Sequence, residues 1–464
     1  MPTVLKNRPV DAPGLWHDSI PGCLDPGPAL ATDIESDVAI VGAGYTGLWT
    51  AYYLKKNNPS LEVSILEAET AGYGASGRNG GWCSGYLSGI EHWLDDPARR
   101  DAGIRLQRLM FDTVAEIGRV TREESIDCHF EQSGALEIAV LPQQLERLKT
   151  EIENLRRLGF SETDYRWLDA GETGSRLSVD RALGGLLMRH CAAVHPARLA
   201  RGLSAAVQRL GVSVFEKSPA LAVNPGSVRT PNGKVKARNV ILATEGYTGS
   251  IRDRTRQLIP LHSMMVATEP LNKQQLSEVR FKRRYCFGNL DRLVTYGQLT
   301  ADNRIAFGCR GSYLFGSGIQ SFEPGDPVFN VVRETLLQFF PGLRGVRFSH
   351  SWGGCMGVSR TLRPSVVFDR DAGVGWAGGY FGNGVGAAHL AGKTLADLVL
   401  GFDTDRVNTP WVNPAGPARR WEPEPLRWLG IRSRARLMQL SDQAEYRGSP
   451  LAPVFSKTLD ALFP

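Results

Sequence analysis

The feature that most constrains this chain is the run of residues 37–67. It opens with four apolar residues at positions 38–41, which predict a buried parallel strand. Gly42, Gly44 and Gly47 follow with G-x-G-x-x-G spacing, and a helical pattern of apolar residues begins directly after them. A second strand pattern closes the run. This order of strand, glycine turn, helix and strand is typical of the βαβ unit that binds a dinucleotide.

Each glycine of the turn has a mechanical role in such a unit. Gly42 permits the tight turn, Gly44 lets a pyrophosphate approach the backbone, and Gly47 allows the helix to pack closely on the strand. The amide groups at the start of the helix face the negative charge of the phosphates. Glu67, about 20 residues beyond the last glycine, can accept hydrogen bonds from ribose hydroxyls, and an acid at this position argues against NADP.

A second glycine-rich stretch, GYGASGRNGGWCSG, occupies residues 72–85 and contains six glycines. A segment with so few side chains does not build a core, but its backbone can lie against a flat molecule. A flexible surface loop is the alternative interpretation. The dinucleotide turn just before it favours contact with the cofactor.

Size and charge limit the classes of protein to which this chain can belong. With 464 residues it exceeds one ordinary core, so we expect two intertwined domains. An apolar fraction of 42% and a charged fraction of 22% are those of a soluble globular protein. The net charge of +6 comes from short basic clusters without interleaved aromatic residues. We therefore expect solvated surface and no nucleic-acid partner.

The seven cysteines are odd in number and include no C-x-x-C pair. This pattern predicts free thiols in a reducing compartment and no metal site. The first thirty residues hold charges and prolines rather than an apolar stretch, and no run approaches 18 apolar residues. We therefore expect a cytoplasmic protein without a membrane span.

The rest of the chain alternates helical and strand patterns. Helical spacing covers residues 95–123 and 141–158, and residues 257–345 show the alternation of an antiparallel sheet. A helix beginning near Gly386 follows a glycine cluster, so its amide-rich start is a second candidate contact for a polar cofactor edge. The tail from residue 403 is rich in proline and arginine and is interpreted as an interface or a surface wrap.

Five motifs, in order along the chain, carry a family resemblance. They are GAGYTG (42–47), GASGRNGG (74–81), NVILATEGYT (239–248), YGQLTADNRIAFGCRG (296–311) and GGYFGNGVGAAHLAGKTLADL (378–398). Together they resemble the D-amino-acid-oxidase-like FAD-dependent oxidoreductases, and most nearly the gamma-glutamylputrescine oxidase branch. The resemblance implies a mixed α/β (α+β) fold, with a discontinuous Rossmann-like FAD-binding domain and a second, antiparallel-sheet substrate domain. We assign residues 1–90, 183–256 and 350–402 to the first, 91–182 and 257–349 to the second, and 403–464 to a C-terminal tail.

The same resemblance implies FAD-dependent oxidation of an amine or amino-acid C–N bond to an imine, which water hydrolyses. Reduced FAD would return its electrons to O2 and give H2O2. Two alternatives stay open: an amine dehydrogenase that uses another electron acceptor, and a flavin-bearing subunit without catalytic activity. H2O2 release with a panel of amines separates the first possibility from the other two.

The resemblance also assigns contacts with FAD. The glycine turn would hold the pyrophosphate, Glu67 the adenosine ribose, and Ala220 the adenine, while residues 76–81 would follow the ribityl chain and the isoalloxazine ring. Residues 382–386 would present N–H groups to the pyrimidine end, which becomes negative on reduction. The implied FAD-binding residues are Gly42, Gly44, Tyr45, Thr46, Gly47, Glu67, Ala68, Gly74, Ala75, Ser76, Arg78, Asn79, Gly80, Gly81, Ala220, Ala243, Thr244, Gly246, Gly354, Cys355, Gly382, Asn383, Gly384, Val385 and Gly386.

Amine oxidation by a flavin needs a dry aromatic pocket that holds the substrate C–H over the ring. Arg310 is the candidate partner of a substrate carboxylate or an oxygen-side cation, with a surface ion pair as the alternative. The candidate catalytic residues are Arg310, Tyr380, Trp352, Tyr313 and His262.

Three further positions bear on the resemblance. Cys355-Met356 is similar to the segment through which sarcosine-oxidase relatives attach FAD covalently, but we favour a small residue packed under the flavin. The segment 359–364 lacks the acid of the T-x-D-x-x-P pattern found in many relatives. The lysine that sarcosine oxidases use for O2 activation falls at Ala306, which keeps the dehydrogenase alternative open.

Overall fold

The computed structural model describes the backbone of residues 13–251, 254–413 and 419–462. It describes all side chains in these ranges except those of residues 310, 312 and 460–462. The helices are α1 (Leu15–Asp18), α2 (Tyr45–Asn57), α3 (Ala75–Arg78), α4 (Glu91–Leu94), α5 (Arg100–Glu123), α6 (Pro142–Arg157), α7 (Ala170–Gly174), α8 (Pro196–Arg209), α9 (Lys273–Val279), α10 (Val328–Phe339), α11 (Gly384–Leu400), α12 (Leu426–Tyr446) and α13 (Ala452–Leu462).

The strands form two large sheets and one small one. They are β1 (Ile34–Val41), β2 (Val63–Leu66), β3 (Trp82–Ser84), β4 (Ala135–Ala139), β5 (Tyr165–Asp169), β6 (Gly184–Met188), β7 (Cys191–Ala193), β8 (Ser213–Phe215), β9 (Ala222–Asn224), β10 (Ser227–Arg229), β11 (Lys234–Leu242), β12 (Leu258–Thr268), β13 (Cys286–Asn289), β14 (Thr295–Leu299), β15 (Ile305–Ser312), β16 (Phe348–Ser359), β17 (Ser365–Asp369) and β18 (Val374–Gly378).

The first large sheet is built around β1. Its main strand order is β17-β18-β11-β1-β2-β8, and the hairpin β9–β10 extends it beside the first half of β11. Strand β1 pairs in parallel with β2 on one side and with β11 on the other. The side chains of Val38, Ala39 and Ile40 are fully buried, as the apolar run predicts. The predicted βαβ unit is therefore present, and it opens this sheet.

Helix α2 begins directly above the end of β1. Gly42 has a φ of +107°, and Gly44 is the extended N-cap residue of the helix. A Cβ atom at Gly47 would lie 2.0 Å from the carbonyl oxygen of Gly42, so only glycine allows the first turn of the helix to pack on the strand end. The local sequence thus fixes the direction in which α2 leaves the sheet.

Helices α2 and α11 cross at close range on one face of this sheet. A Cβ atom at Gly392 would lie 2.7 Å from the Cβ atom of Trp49 and 2.8 Å from the backbone nitrogen of Thr50. Trp49 is fully buried, and the helix pair shares one hydrophobic cluster with the underlying strands. The missing side chain at position 392 therefore sets the distance between the two helices.

The second large sheet is mostly antiparallel. Its order is β16-β12-β15-β14-β13-β4-β6-β5, and the pair β13–β4 is parallel. The rings of Phe287, Phe307 and Phe339 form contacts in the hydrophobic cluster beside it. This sheet agrees with the predicted antiparallel domain, so the mixed α/β fold is confirmed.

Three elements lie elsewhere than the predicted domain division implies. Strands β6 and β16 belong to the second sheet, although residues 183–256 and 350–402 were assigned to the FAD-binding domain. β16 pairs with β12 along its length, from Phe348 opposite Thr268 to Ser359 opposite Leu258. Helix α5 was assigned to the substrate domain, yet its buried face joins the hydrophobic cluster of α2 and α11. These placements depend on pairings between distant segments, which composition does not reveal.

The C-terminal tail forms helices α12 and α13 on the outside of the second sheet. The carboxylate of Asp442 accepts hydrogen bonds from the backbone nitrogens of Arg292 (2.9 Å) and Leu293 (3.0 Å). Glu445 forms an ion pair with Arg147 at 2.8 Å. Helices α12 and α13 therefore pack on the second domain, whereas Trp411 and Val412 earlier in the tail pack on the first sheet. No helix in the described part of the chain is long and apolar enough to cross a membrane.

We expect Gly392→Ala to destabilise the protein, because the added methyl group must push α11 away from α2. Overpacking of this kind costs about 1–3 kcal/mol, which exceeds the helix propensity that alanine adds. The matched control is Gly430→Ala in α12, where a Cβ atom would meet nothing within 4 Å. We expect that control to gain about 0.5–1 kcal/mol. Melting temperatures of the two variants check the prediction, and equal shifts would contradict it.

Candidate functional site

A large cavity opens where the ends of β1, β2 and β11 meet the second sheet. Its volume, including the part that is open to solvent, is about 1550 Å³. Its walls come from the glycine turn, the glycine-rich stretch 72–79, the turn that precedes α11, and strands β12, β14 and β16. A cavity at the carboxyl ends of parallel strands is where open α/β sheets bind their ligands.

The floor of the cavity is the turn between β1 and α2. A Cβ atom at Gly42 would lie 2.6 Å from the carbonyl oxygen of Ala243, and one at Gly44 would lie 3.0 Å from the Oγ atom of Ser76. The backbone nitrogen of Tyr45 donates a hydrogen bond to Ser76 Oγ at 2.9 Å. The turn therefore presents bare backbone and the start of a helix to the cavity, an arrangement suited to a pyrophosphate.

Glu67 lies at the end of β2 and lines the cavity. Its carboxylate accepts hydrogen bonds from the backbone nitrogens of Ala43 (2.8 Å) and Glu69 (2.9 Å). Burial raises the pKa of this carboxyl above its usual range, and the two amide hydrogen bonds oppose that shift. A carboxylate held in this way has lone pairs left to accept hydrogen bonds from ribose hydroxyls.

The stretch that includes α3 forms a side wall, and two tryptophans support it from behind. Trp16 Nε1 donates to the carbonyl oxygen of Asn79 at 2.8 Å, and Trp352 Nε1 donates to that of Arg78 at 2.9 Å. The two indole rings contact each other edge to face with centroids 6.1 Å apart. Trp352 is therefore placed behind the wall, and it does not line the cavity.

The turn before α11 forms the opposite wall. Tyr380, Gly382 and Gly384 line the cavity, and Phe381 and Gly382 both have positive φ angles. The hydroxyl of Tyr380 forms a hydrogen bond of 2.8 Å with Thr46 Oγ1 in the first turn of α2. Burial raises the pKa of the Tyr380 hydroxyl, so it stays protonated. The starts of α2 and α11 are thus tied together across the cavity.

The second sheet closes the remaining side with side chains that sequence reasoning did not single out. Ser263 on β12 and Tyr296 on β14 line the cavity, and their hydroxyls are hydrogen-bonded to each other. Ser263 Oγ also donates to the carbonyl oxygen of Cys309 at 2.9 Å. Met356 and Phe381 add apolar surface nearby. The strand patterns of β12 and β14 were visible in the sequence, but which residues face inward depends on register.

Most of the residues predicted to contact FAD meet around this one cavity. The cavity is lined by Gly42, Gly44, Tyr45, Thr46, Glu67, Ala68, Gly74, Ala75, Ser76, Arg78, Asn79, Ala220, Ala243, Thr244, Gly246, Gly354, Cys355, Gly382, Gly384 and Val385. The other predicted contacts, Gly47, Gly80, Gly81, Asn383 and Gly386, do not line it. A Cβ atom at Gly80 would meet the ring of Tyr296, and one at Gly386 would lie 2.2 Å from the carbonyl oxygen of Ser84.

Of the candidate catalytic residues, only Tyr380 has a side chain that the structure shows at the cavity. His262 is 1% exposed, and its Nε2 atom accepts a hydrogen bond of 3.0 Å from the backbone nitrogen of Gln320. Tyr313 donates to Glu424 at 2.7 Å in the C-terminal segment. The side chain of Arg310 lies outside the described part of the structure, while its backbone pairs with Ser263.

The residues around the cavity suit an extended dinucleotide. Bare glycine backbone and two helix starts are suited to phosphate or another polar edge, and the buried carboxylate of Glu67 is suited to a ribose. Cys355 is 3% exposed, and its Sγ atom packs against Gly246, where a Cβ atom would lie 2.6 Å away. Among the described residues, no group of three or more His, Cys, Asp or Glu side chains could hold a metal ion.

Comparison with known proteins agrees with this geometry. A sequence model of the family "FAD dependent oxidoreductase" matches residues 37–398. The gamma-glutamylputrescine oxidoreductase of Escherichia coli (strain K12) is 33% identical over 390 residues, which cover 81% of this chain and 86% of that protein. A probable oxidoreductase of Haemophilus influenzae is 29% identical over 388 residues, covering 81% of this chain and 85% of its own.

Solved structures share the fold. The glycine oxidase from Geobacillus kaustophilus superposes with a TM-score of 0.67 at 19% identity, and it covers 80% of this chain and 96% of its own. The L-proline dehydrogenase from P. horikoshii gives a TM-score of 0.66 at 18% identity, covering 82% of this chain and 98% of its own. The family match, the first relative and the glycine-lined cavity lead to one conclusion. This chain belongs to the family of FAD-dependent oxidoreductases, and its cofactor is FAD.

Proposed function

We propose that this oxidoreductase oxidises the C–N bond of an amine or amino-acid substrate to an imine and passes the electrons to O2. Bound FAD would accept a hydride, two electrons and one proton, from the substrate C–H, while the substrate nitrogen loses a second proton; the two electrons and two protons would then convert O2 to H2O2. Water then hydrolyses the imine to a carbonyl compound and an amine or ammonia. The relative named for gamma-glutamylputrescine supports an amine substrate.

The observation that carries the proposal is the composition of the cavity at the second sheet. Ser263 and Tyr296 offer a pair of hydroxyls, while Met356, Tyr380 and Phe381 offer thioether and aromatic surface. The Ser263 hydroxyl already donates to Cys309, so the hydroxyl oxygens can accept a hydrogen bond from an amine N–H. Apolar walls exclude the water that would keep the amine protonated. Orientation of a neutral amine is what such a reaction requires from the protein.

The proposed catalytic residues act by positioning. Tyr380 would be a wall of the substrate space, because its hydroxyl is already bound by Thr46 and its ring is buried at the cavity. Arg310 stays the candidate for binding a substrate carboxylate, and its backbone pairs with Ser263 of the cavity wall. Trp352 would act indirectly, through the carbonyl oxygen of Arg78 that it holds. His262 and Tyr313 have no place in the proposed site.

A dehydrogenase that passes electrons to another acceptor is the second candidate. Ala306 is fully buried in a cluster that includes Trp16 and Trp352, so no cation stands at this point of the second sheet. According to the family resemblance, the lysine that sarcosine oxidases use for O2 activation falls at this position. The L-proline dehydrogenase among the structural neighbours shows that this fold also supports dehydrogenases.

Anaerobic bleaching of the flavin absorbance tests the reaction directly. The FAD-loaded protein is mixed with gamma-glutamylputrescine, putrescine, sarcosine, glycine or L-proline, and absorbance is followed before and after air is admitted. We expect at least one amine to bleach the flavin without O2, and H2O2 to form at the same rate as the absorbance returns in air. Bleaching without peroxide would select the dehydrogenase, and no bleaching by any amine would contradict both proposals.

We expect Tyr296→Phe to slow the reaction of the bleaching amine while FAD binding stays unchanged. The variant removes the hydroxyl that faces the cavity with Ser263 but keeps the ring that packs against Gly80. Loss of one hydrogen bond to a neutral partner costs about 0.5–1.5 kcal/mol, so kcat/KM should fall by about twofold to thirteenfold.

The matched control for this variant is Tyr52→Phe, which removes a hydroxyl bonded to Glu124 at 3.0 Å, where buried Tyr52 of α2 meets the end of α5. Its kcat/KM should stay at the parent value. An equal fall in both variants would show that the effect is a general loss of stability, and no fall in Tyr296→Phe would remove Tyr296 from the substrate site.

A further inference from the structure

Glu245 is a non-glycine residue with a left-handed backbone, and its side chain lines the cofactor cavity. Its φ angle is +41°, in the sequence Ala-Thr-Glu-Gly that follows β11. Residues other than Gly, Asn or Asp are uncommon in this region of φ and ψ, because the conformation is energetically unfavourable for them. Such strain persists where the side chain makes contacts that compensate for it.

The contacts of Glu245 join three separate segments. One carboxylate oxygen accepts hydrogen bonds from the backbone nitrogens of Gly379 (2.9 Å) and Tyr380 (3.1 Å). The other accepts one from the backbone nitrogen of Gly357 on β16. A Cβ atom at Gly357 would lie 2.3 Å from that oxygen, so the strand can approach only as glycine. The carboxylate therefore bridges the end of β11, the second sheet and the turn before α11.

That turn needs an external support. Gly379, Phe381 and Gly382 all have positive φ angles, so regular secondary structure does not hold the turn in place. The turn is held by the backbone hydrogen bonds to Glu245 and by the hydroxyl of Tyr380, which binds Thr46. Ser88 Oγ also donates to the carbonyl oxygen of Phe381 at 3.2 Å and accepts from Asn383 Nδ2 at 2.8 Å. The residues that follow begin α11 at the cavity wall.

In the described part of the chain, the Glu245 carboxylate is held by backbone N–H groups and not by a cation. Burial raises the pKa of Glu245 to about 7, and the amide hydrogen bonds lower it. Desolvation of a carboxylate is costly unless donors satisfy its oxygens, so the three N–H groups and the acid stabilise one another. Neither the strained backbone nor the buried acid has a role in the fold of β11 itself, which ends at Leu242.

We propose that Glu245 is a positioning residue for the cofactor: it holds the turn of residues 379–384 in the conformation that binds FAD. The preformed turn spares FAD the cost of ordering that segment on binding. Loss of the carboxylate should therefore weaken FAD binding more than it weakens the fold. This role is in FAD binding, so the proposal does not depend on which amine or which electron acceptor the enzyme uses.

The test compares FAD affinity of the apoproteins of Glu245→Gln and Glu245→Gly with that of the parent, by fluorescence titration with FAD. Hydrogen bonds to charged groups are strong, so the dissociation constant should rise by about tenfold or more in both variants. Glu245→Gly also relieves the backbone strain, and a weaker affinity in that variant assigns the effect to the lost carboxylate. Hydrogen exchange of peptides covering residues 376–386 should become faster in both apoproteins.

The matched control is Asp442→Asn, another buried carboxylate that accepts two backbone hydrogen bonds but lies in the C-terminal tail. It should change the FAD dissociation constant by less than about twofold. An unchanged affinity in either Glu245 variant would overturn the proposal, as would slow exchange of the turn in both. An equal loss in Asp442→Asn, or Glu245 variants that fail to fold, would assign the carboxylate a general structural role and would also overturn it.

A double-mutant cycle with Gly357→Ala gives an independent measurement. The added methyl group clashes with the Glu245 carboxylate, while its other close contact is the flexible end of Leu258. We expect Gly357→Ala alone to weaken FAD binding, and to add less than about twofold in the Glu245→Gly background, where the oxygen is gone. Fully additive effects would contradict the bridge between β16 and the turn.

Discussion

The structure depends on one close approach, between the first turn of α2 and the carbonyl oxygen of Gly42. Because position 47 has no Cβ atom, the helix starts directly at the end of β1. Its amide end then points into the space beyond the sheet, and Gly42 contacts Ala243 at the end of β11. The end of β2 lies beside this start in the parallel sheet, and the hydrogen bond between Thr46 and Tyr380 joins the turn before α11 to it.

The two ends of the cavity are built from different chemistry. Around the glycine turn the walls are mainly backbone, and an added side chain would clash at several glycines, as at Gly42 and Gly246. At the second sheet the walls are side chains such as Ser263 and Tyr296, which other residues could replace without moving the backbone. The choice of residues is therefore more constrained at the cofactor site than at the substrate site.

This difference explains what the sequence could predict. The turn, Glu67 and the stretch 72–79 follow from local spacing, because the ligand contacts are made by residues near one another in the chain. Ser263 and Tyr296 depend on the register between distant strands. β12 shifts its register with β15 between His262 and Ser263, so the pairing at this point does not follow simple alternation. His262 is buried against Phe322, while Ser263 lines the cavity.

Two other placements required the tertiary structure. The first is Trp16, whose indole supports the cavity wall beside that of Trp352. The second is Trp352, a candidate catalytic residue from the sequence, whose Nε1 atom donates to the carbonyl oxygen of Arg78 behind the cavity wall. An aromatic side chain beside a glycine turn can point into the cavity or away from it. The packing of the rest of the chain decides between the two.

The hydrogen bonds of Glu245 couple the cofactor end of the cavity to the substrate end. Its backbone belongs to the segment after β11, whereas its carboxylate binds β16 of the second sheet and the turn before α11. A change in the second sheet that moved β16 would therefore move the turn on the cofactor side as well. Because Gly357 lies one residue beyond Met356 of the substrate wall, substitutions that reshape the wall must preserve this hydrogen bond or alter FAD binding. Substrate specificity can thus change at Ser263 or Tyr296 more freely than along this part of β16.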